Sequence, residues 1–365
     1  MKKRFRGLGD YVLAIVLYLF LNVALFHGGL YRFVCKVDSY AGNVYGRMQV
    51  LEATEKQTRK RVVALVGDST TEEGIDPDLL SQQIGKPVVN LALPGTSPHD
   101  WSYFLRSIDP ERNRFEAILL TVVPQKTRAQ THDDGIQTLL PVADPFLMVE
   151  YLDTRGKIWS NLGDYYGAFD RVFAFRRDLR DLILSPDRWL HTRAARQQKL
   201  ETIRNYSGEN YDVCSVRTHP QQGKVVRWGK IRDEEIRHLI RNNVNQISKL
   251  NRAPAVSGIS EHLETIVESY RNSPTQIIIV NIPFGYGHHV PVQSPLISRY
   301  LNTLQAFGND WRVLHWMAFE EALFQECSNF FDFRHLNHKG RKLFTRWLAE
   351  KWNQSAEQQP VAEIR

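Results

Sequence analysis

Five short runs of apolar residues punctuate the chain: "VVALV" at 62–66, "VVNLAL" at 88–93, "AILLTVV" at 117–123, "QIIIVNI" at 276–282 and "RVLHW" at 312–316. They are rich in β-branched residues and bounded by Gly, Pro or Asn, the pattern of strands buried on both faces. Helical patterns lie between them. "DPDLLSQQIG" offers Asp76 as N-cap, Pro77 at the first helical position and Gly85 as a stop. "SPHDWSYFLRSID" forms a second helix, in which Asp100 sits near the start. "ISEHLETIVESYRN" places Ile259, Leu263, Ile266 and Val267 at helical spacing, and "LISRYLNTLQAFG" precedes the fifth run. "LNHKGRKLFTRWLAEKW" closes the domain, with Leu343, Phe344, Trp347 and Leu348 on one face. Strands alternating with helices predict a three-layer α/β/α domain around a parallel sheet of about five strands.

The stretch between the third and fourth runs is too long for one crossover, so residues of about 125–275 read as a helical insertion, a lid or a partner surface. Within it, "NYSGENYDVCSVRTHPQQGKVVRWGKIRDEE" reads as loop and a short hairpin. Residues 36–60 read as a linker or polar helix, 61–352 as the main α/β domain and the polar stretch 353–365 as a disordered tail.

The amino terminus changes the picture. Lys2, Lys3, Arg4 and Arg6 precede an apolar run over 11–26 that is interrupted only by Asn22. With its flanks the run reaches the ~20 residues a membrane helix needs. The basic flank predicts a cytoplasmic N-terminus and an extracytoplasmic remainder. "VALFHGG" is a poor cleavage site, so residues 1–35 read as an uncleaved anchor in the bilayer rather than a signal peptide.

Composition adds less. Net charge is +7, but no nucleic-acid-binding signature accompanies it. The clusters "RVFAFRRDLRD" and "HTRAARQQK" read as solvated helix faces, and no nucleic-acid partner is expected. Three cysteines, Cys35, Cys214 and Cys327, make neither a zinc site nor a disulfide framework, and one disulfide stays open.

The first run breaks into Gly67-Asp68-Ser69. Gly-Asp-Ser is ordinary turn chemistry, but a serine past the C-terminal end of a parallel strand also stands where ligands bind. A base and an orienting acid are available in "FFDFRHLNHKG", where the Asp332-x-x-His335 spacing lets the carboxylate hold the imidazole. Taken alone, each residue has an ordinary loop role.

Together, Gly67-Asp68-Ser69 after the first strand, "NLALPG" after the second and Asp332-x-x-His335 before the last helix resemble the SGNH (GDSL-type) hydrolases. The resemblance covers 62–124 and 275–352. It implies Ser69 as nucleophile, His335 as base, Asp332 as its orienting partner, and an oxyanion hole built from the backbone N–H groups of Ser69 and Gly95. A structural turn remains an equal reading of Gly95. The family's Asn after the third strand is missing from "AILLTVVPQKT", where Thr121, Gln125 or a backbone N–H stands in its place. "GDSTTEEGIDP" and D-x-x-H-L-N-x-x-G resemble a subgroup of membrane-anchored envelope proteins. It includes D-alanyl transfer proteins and proteins that accompany membrane-bound O-acyltransferases.

That resemblance implies an acyltransferase or esterase acting on O-acyl groups of an envelope glycan through an acyl-Ser69 intermediate, with no cofactor or metal. Its partners would be the glycan or another acyl acceptor and a membrane-bound O-acyltransferase. The alternative is a non-catalytic SGNH-like accessory protein. Asp68, His288 and His289 are further candidate substrate contacts, and His99 a residue that could face substrate. His132-Asp133-Asp134 lacks a convincing set of metal ligands and reads as loop. Tyr165, Tyr166, Trp189 and Trp228 read mostly as packing residues of the insertion.

Overall fold

The computed structural model describes residues 2–27, 31–35, 39–123, 138–154, 162–185, 198, 201, 209–219, 224–252, 259–283, 302, 313–318, 321, 324, 326–332 and 334–358. The chain divides into two compact units. One comprises residues 1–46 and 133–200, the other 47–132 and 201–365.

The second unit is an α/β domain. Strands β1 (Val62–Val66), β2 (Val88–Asn90), β3 (Phe115–Val122), β6 (Gln276–Asn281) and β7 (Val313–Met317) form one sheet in the order β2-β1-β3-β6-β7, all parallel. Strands β4 (Arg217–His219) and β5 (Lys224–Arg227) form a separate antiparallel hairpin, in the part of the insertion where one was expected.

All five expected runs become strands, with small shifts at their ends. The second stops at Asn90, although the chain still follows β1, since Leu91 N–H donates to Leu65 O (2.9 Å) and Leu93 N–H to Gly67 O (2.8 Å). Val63, Leu65, Ala117, Leu119, Ile278 and Val280 belong to a core with Leu80, Ile84, Phe344 and Leu348, drawn from the Pro77–Ile84 and His338–Gln358 helices. The alternate residues Ala64, Ile118, Leu120 and Ile279 point the other way along the strands and are equally buried, so both faces are covered.

Local signals behave as read. Asp76 accepts from Leu79 N–H (3.0 Å) and Gly85 ends the helix at φ +66°. Ser97 and Asp100 form a reciprocal capping box for Pro98–Ile108, so Asp100 does belong to the helix start.

Three stretches gain detail. Within 36–60, Tyr40–Thr58 is a helix, with Val44, Arg47 and Leu51 fully buried. Residues 353–358, expected in a disordered tail, belong to the last helix, which continues through Gln358. The insertion is not one body: 133–200 groups with the N-terminal segment and 201–275 with the sheet domain.

The first unit contains the apolar helix. The stretch Gly9–Phe26 is long and apolar enough to cross a membrane. Beyond it, Phe26, Tyr31 and Phe175 pack as an aromatic cluster with ring centroids 4.6–5.6 Å apart. Tyr31 also donates to Asp178 (2.9 Å).

Candidate active site

Counted along the sheet domain, the chain visits its strands in the spatial order 2-1-3-4-5. The direction of winding reverses at β1, and ligands of doubly wound sheets bind beyond the strand ends at such a point. Ser69 follows β1 at that point and begins the short helix Ser69–Gly74. The turn into this helix is crowded. A Cβ on Gly67 would lie 1.8 Å from Thr71 Oγ1 and 2.2 Å from Thr121 Oγ1, so only glycine fits. Asp68 is buried and caps the helix, accepting from Thr70 N–H (2.9 Å) and the Thr70 hydroxyl (2.6 Å).

Ser69 Oγ lies 2.9 Å from His335 Nε2, and His335 Nδ1 lies 2.8 Å from Asp332 Oδ2. The other Asp332 oxygen accepts the backbone N–H groups of Arg334 (2.6 Å) and His335 (2.7 Å). Asp332 is fully buried and His335 nearly so. The Phe331 ring stacks on the imidazole at 5.5 Å and 12°. Burial opposes ionisation of Asp332, yet His335 and the two backbone donors outweigh it and hold its carboxyl below the usual range. Burial likewise disfavours a charged His335, but Asp332 and then Glu73 raise it above its ordinary value.

The loop that carries this pair is tied down from several sides. Asn337 caps the last helix, accepting from Gly340 N–H (3.0 Å), while its amide donates to Ser328 O (2.9 Å) and Tyr211 O (3.1 Å). Gly340 is obligatory, because a Cβ there would lie 2.1 Å from the Asn329 carbonyl oxygen. These contacts account for the H-L-N-x-x-G spacing. Segment 209–216 braces the same loop: Val213 N–H donates to Phe330 O (3.2 Å), Tyr211 packs on Phe331, and Cys214 is disulfide-bonded to Cys327. Arg334 reaches within 3.8 Å of Asp68, joining this loop to the serine turn.

Sequence reasoning missed Glu73. The helix that starts at Ser69 brings Glu73, four residues on, to the same face. Its Oε2 lies 3.8 Å from His335 Nδ1, is buried and accepts no hydrogen bond. Burial pushes its carboxyl up to about 7, against a lowering influence from His335. The i, i+4 spacing from Ser69 was the available signal. Arg341 was missed as well: fully buried, it donates to the Glu72 (2.8 Å) and Glu73 (3.1 Å) carbonyls and closes the end of that helix.

The remaining candidates fall differently. Gly95 has φ +80° between Pro94 and Thr96, and Thr96 N–H donates to Leu93 O (3.2 Å). That is a type II turn, which needs glycine at its third position. Thr121 is buried beneath the serine turn with its hydroxyl on Thr71. His99 is buried, with its ring 4.6 Å from His262 and 5.2 Å from Tyr103. Gln125, His132, Asp133, Asp134, Trp189, His288 and His289 lie outside the described residues. No group of three or more metal-ligating side chains occurs among the described residues.

No protein-family model, curated protein or solved structure matches the chain. The functional reading therefore stands on the geometry of its own residues.

Proposed function

We propose that this protein is a serine acyltransferase or esterase of the SGNH type. It would be anchored by its N-terminal helix, with the catalytic domain on the extracytoplasmic side, and would act on O-acyl groups of a cell-envelope glycan. One observation carries the reading: the continuous hydrogen-bonded line Ser69 Oγ–His335 Nε2, His335 Nδ1–Asp332, at the C-terminal edge of a parallel sheet. A buried carboxylate, an imidazole and a serine hydroxyl in this order are the parts needed to activate an alcohol as nucleophile.

In the first half-reaction, Ser69 Oγ attacks the ester carbonyl of the donor while His335 Nε2 takes its proton. Asp332 holds the Nδ1–H tautomer and stabilises the imidazolium. The same proton then passes to the departing alcohol, leaving the acyl group on Ser69. In the second half, His335 takes the proton of the acceptor, a glycan hydroxyl for transfer or water for hydrolysis, as it attacks the acyl carbon, and returns that proton to Ser69 Oγ as the acyl–Oγ bond breaks. The oxyanion would be met by the backbone N–H groups of Ser69 and Gly95. The extracytoplasmic placement is supported by the Cys214–Cys327 disulfide, a bond that persists in oxidising compartments.

The test treats the full chain in detergent, and its Ser69→Ala variant, with a serine-reactive fluorophosphonate, and locates adducts by peptide mass spectrometry. A single adduct on Ser69, absent from the variant, is the expected result. Folded protein that takes no label would remove the nucleophile and favour the accessory, glycan-binding role.

A further inference from the structure

The helices between residues 145 and 184 carry large apolar side chains that face outward. Phe146 is 80% exposed, Leu162 62%, Phe169 56%, Ile183 76% and Leu184 70%. The same helices already have an inward set, Leu147, Met148, Tyr151, Leu152 and Ala168, so the outward residues are not needed to close their core. They also gather. Phe146 and Phe169 meet edge to face at 6.3 Å, and exposed Tyr166 meets Phe173 at 4.8 Å. An apolar patch of this kind marks an interaction surface.

Its position names the partner. The segment that carries Phe169, Ile183 and Leu184 also touches the apolar helix of the same unit. Tyr18, inside the Gly9–Phe26 span, donates to Asp170, which also caps the Arg171–Ala174 helix by accepting from Phe173 N–H (3.0 Å). Phe26, at the end of the span, stacks on Phe175 at 5.6 Å. Tyr18 precedes Phe26 by eight residues, about 12 Å along a helix. Interfacial helices sink roughly 5–10 Å into the headgroup and acyl boundary. Contacts running from the span's end to Tyr18 thus reach slightly beyond that depth.

Charge agrees. On the Arg176–Leu184 helix, Arg176, Arg177 and Arg180 are exposed beside Ile183 and Leu184. Two acids share that helix: Asp178 accepts from Tyr31, and Asp181 lies 3.5 Å from Arg180. Arginines flanking outward apolar residues suit anionic lipid.

We propose that Phe146, Leu162, Phe169, Ile183 and Leu184 form a membrane-embedded face that sinks into the bilayer interface where the span leaves it, with Arg176, Arg177 and Arg180 against anionic headgroups. This rests on the membrane-anchoring part of the proposed function and is independent of the chemistry at Ser69. It makes the 145–184 helices a second attachment, which fixes how the span's own unit sits in the bilayer.

The test reconstitutes the full chain in vesicles of phosphatidylethanolamine and phosphatidylglycerol. Nitroxide labels are placed at Phe169→Cys and Ile183→Cys, both exposed positions, and at Leu17→Cys within the span. The unsubstituted chain, whose free Cys35 is buried, gives the background. Collision rates with oxygen, which partitions into lipid, and with a water-soluble nickel chelate report depth. The expected oxygen-to-nickel ratios at Phe169 and Ile183 are several-fold above free label in buffer and approach that at Leu17. Labels at Phe169 and Ile183 that read as water while Leu17 reads as lipid would overturn this inference alone and give the patch to a protein partner. A water-like label at Leu17 would overturn the anchor and this inference with it.

Discussion

Glu73 Oε2 stands 3.8 Å from His335 Nδ1, the imidazole nitrogen that faces away from Ser69 and is already bonded to Asp332. One imidazole thus meets two carboxylates. Asp332 is fixed by backbone donors, whereas the Glu73 oxygen has no donor of its own. Arg334 and Arg341 are the nearby cations and Tyr211, Asp68 and Glu72 the other titratable neighbours. The electrostatic balance at His335 therefore depends on the charge of Glu73.

His335 must be neutral to take the serine proton, and its raised pKa places the acid limb of activity above the ordinary imidazole value. Labelling of Ser69 is expected to rise with pH through that limb. Glu73→Gln removes a negative charge that favours the imidazolium, so the limb moves to lower pH. The rate on the alkaline plateau should change little, because Asp332 still orients the ring. Fluorophosphonate labelling rates across pH, with the His335 titration followed by NMR, check this. An unchanged limb in Glu73→Gln would show that the two groups are not coupled.

Asp332→Asn should preserve the loop but present the wrong face of an amide to His335 Nδ1. The imidazole then favours the tautomer that cannot accept from Ser69, and the expected loss of kcat is about 10⁴-fold. Ser69→Ala and His335→Ala should each abolish turnover with circular dichroism unchanged. The effects of the three should not add, because they act as one unit. Kinetics of the single and double variants measure this.

The Cys214–Cys327 bond closes a sequence separation of 113 residues and ties segment 209–216 to the loop before Asp332. Cys214→Ser with Cys327→Ser is expected to lower stability by about 2–4 kcal/mol. Urea unfolding with and without reductant reads the loss. Reductant should leave the double variant unaffected and bring the unsubstituted chain toward it.

Gly340→Ala sets a methyl group 2.1 Å from the Asn329 carbonyl, where a backbone atom rather than a flexible side chain has to move. A cost of roughly 1–3 kcal/mol is expected. Ser69 labelling should weaken as well, since Asn329 and Asn337 together hold the His335 loop. Thermal unfolding and labelling of the same sample separate the two effects.

The strands were legible in the sequence because a parallel strand buried on both faces must be mostly apolar. Val62–Val66 and the stretch 277–280 satisfy that without reference to the rest of the chain. The helix start at Asp76 was legible for the same local reason, since a cap bonds to backbone only two or three residues on. The Asp332–His335 pair was legible because its members stand three positions apart in one loop.

What could not be read depends on distance along the chain. The Ser69–His335 contact joins residues 266 apart and exists only because β1 stands at the sheet's reversal point and the last helix packs beside Pro77–Ile84. Glu73 carried no sign of burial in the sequence; the fold desolvates its carboxyl by bringing the His335 loop over its helix. The disulfide partners, the burial of the Tyr40–Thr58 helix and the division of the insertion were decided in the same way. Local hydrogen bonding and strand burial are set by neighbours in sequence. Which distant charges share a desolvated site is set by packing, and here packing alone gave His335 its second carboxylate.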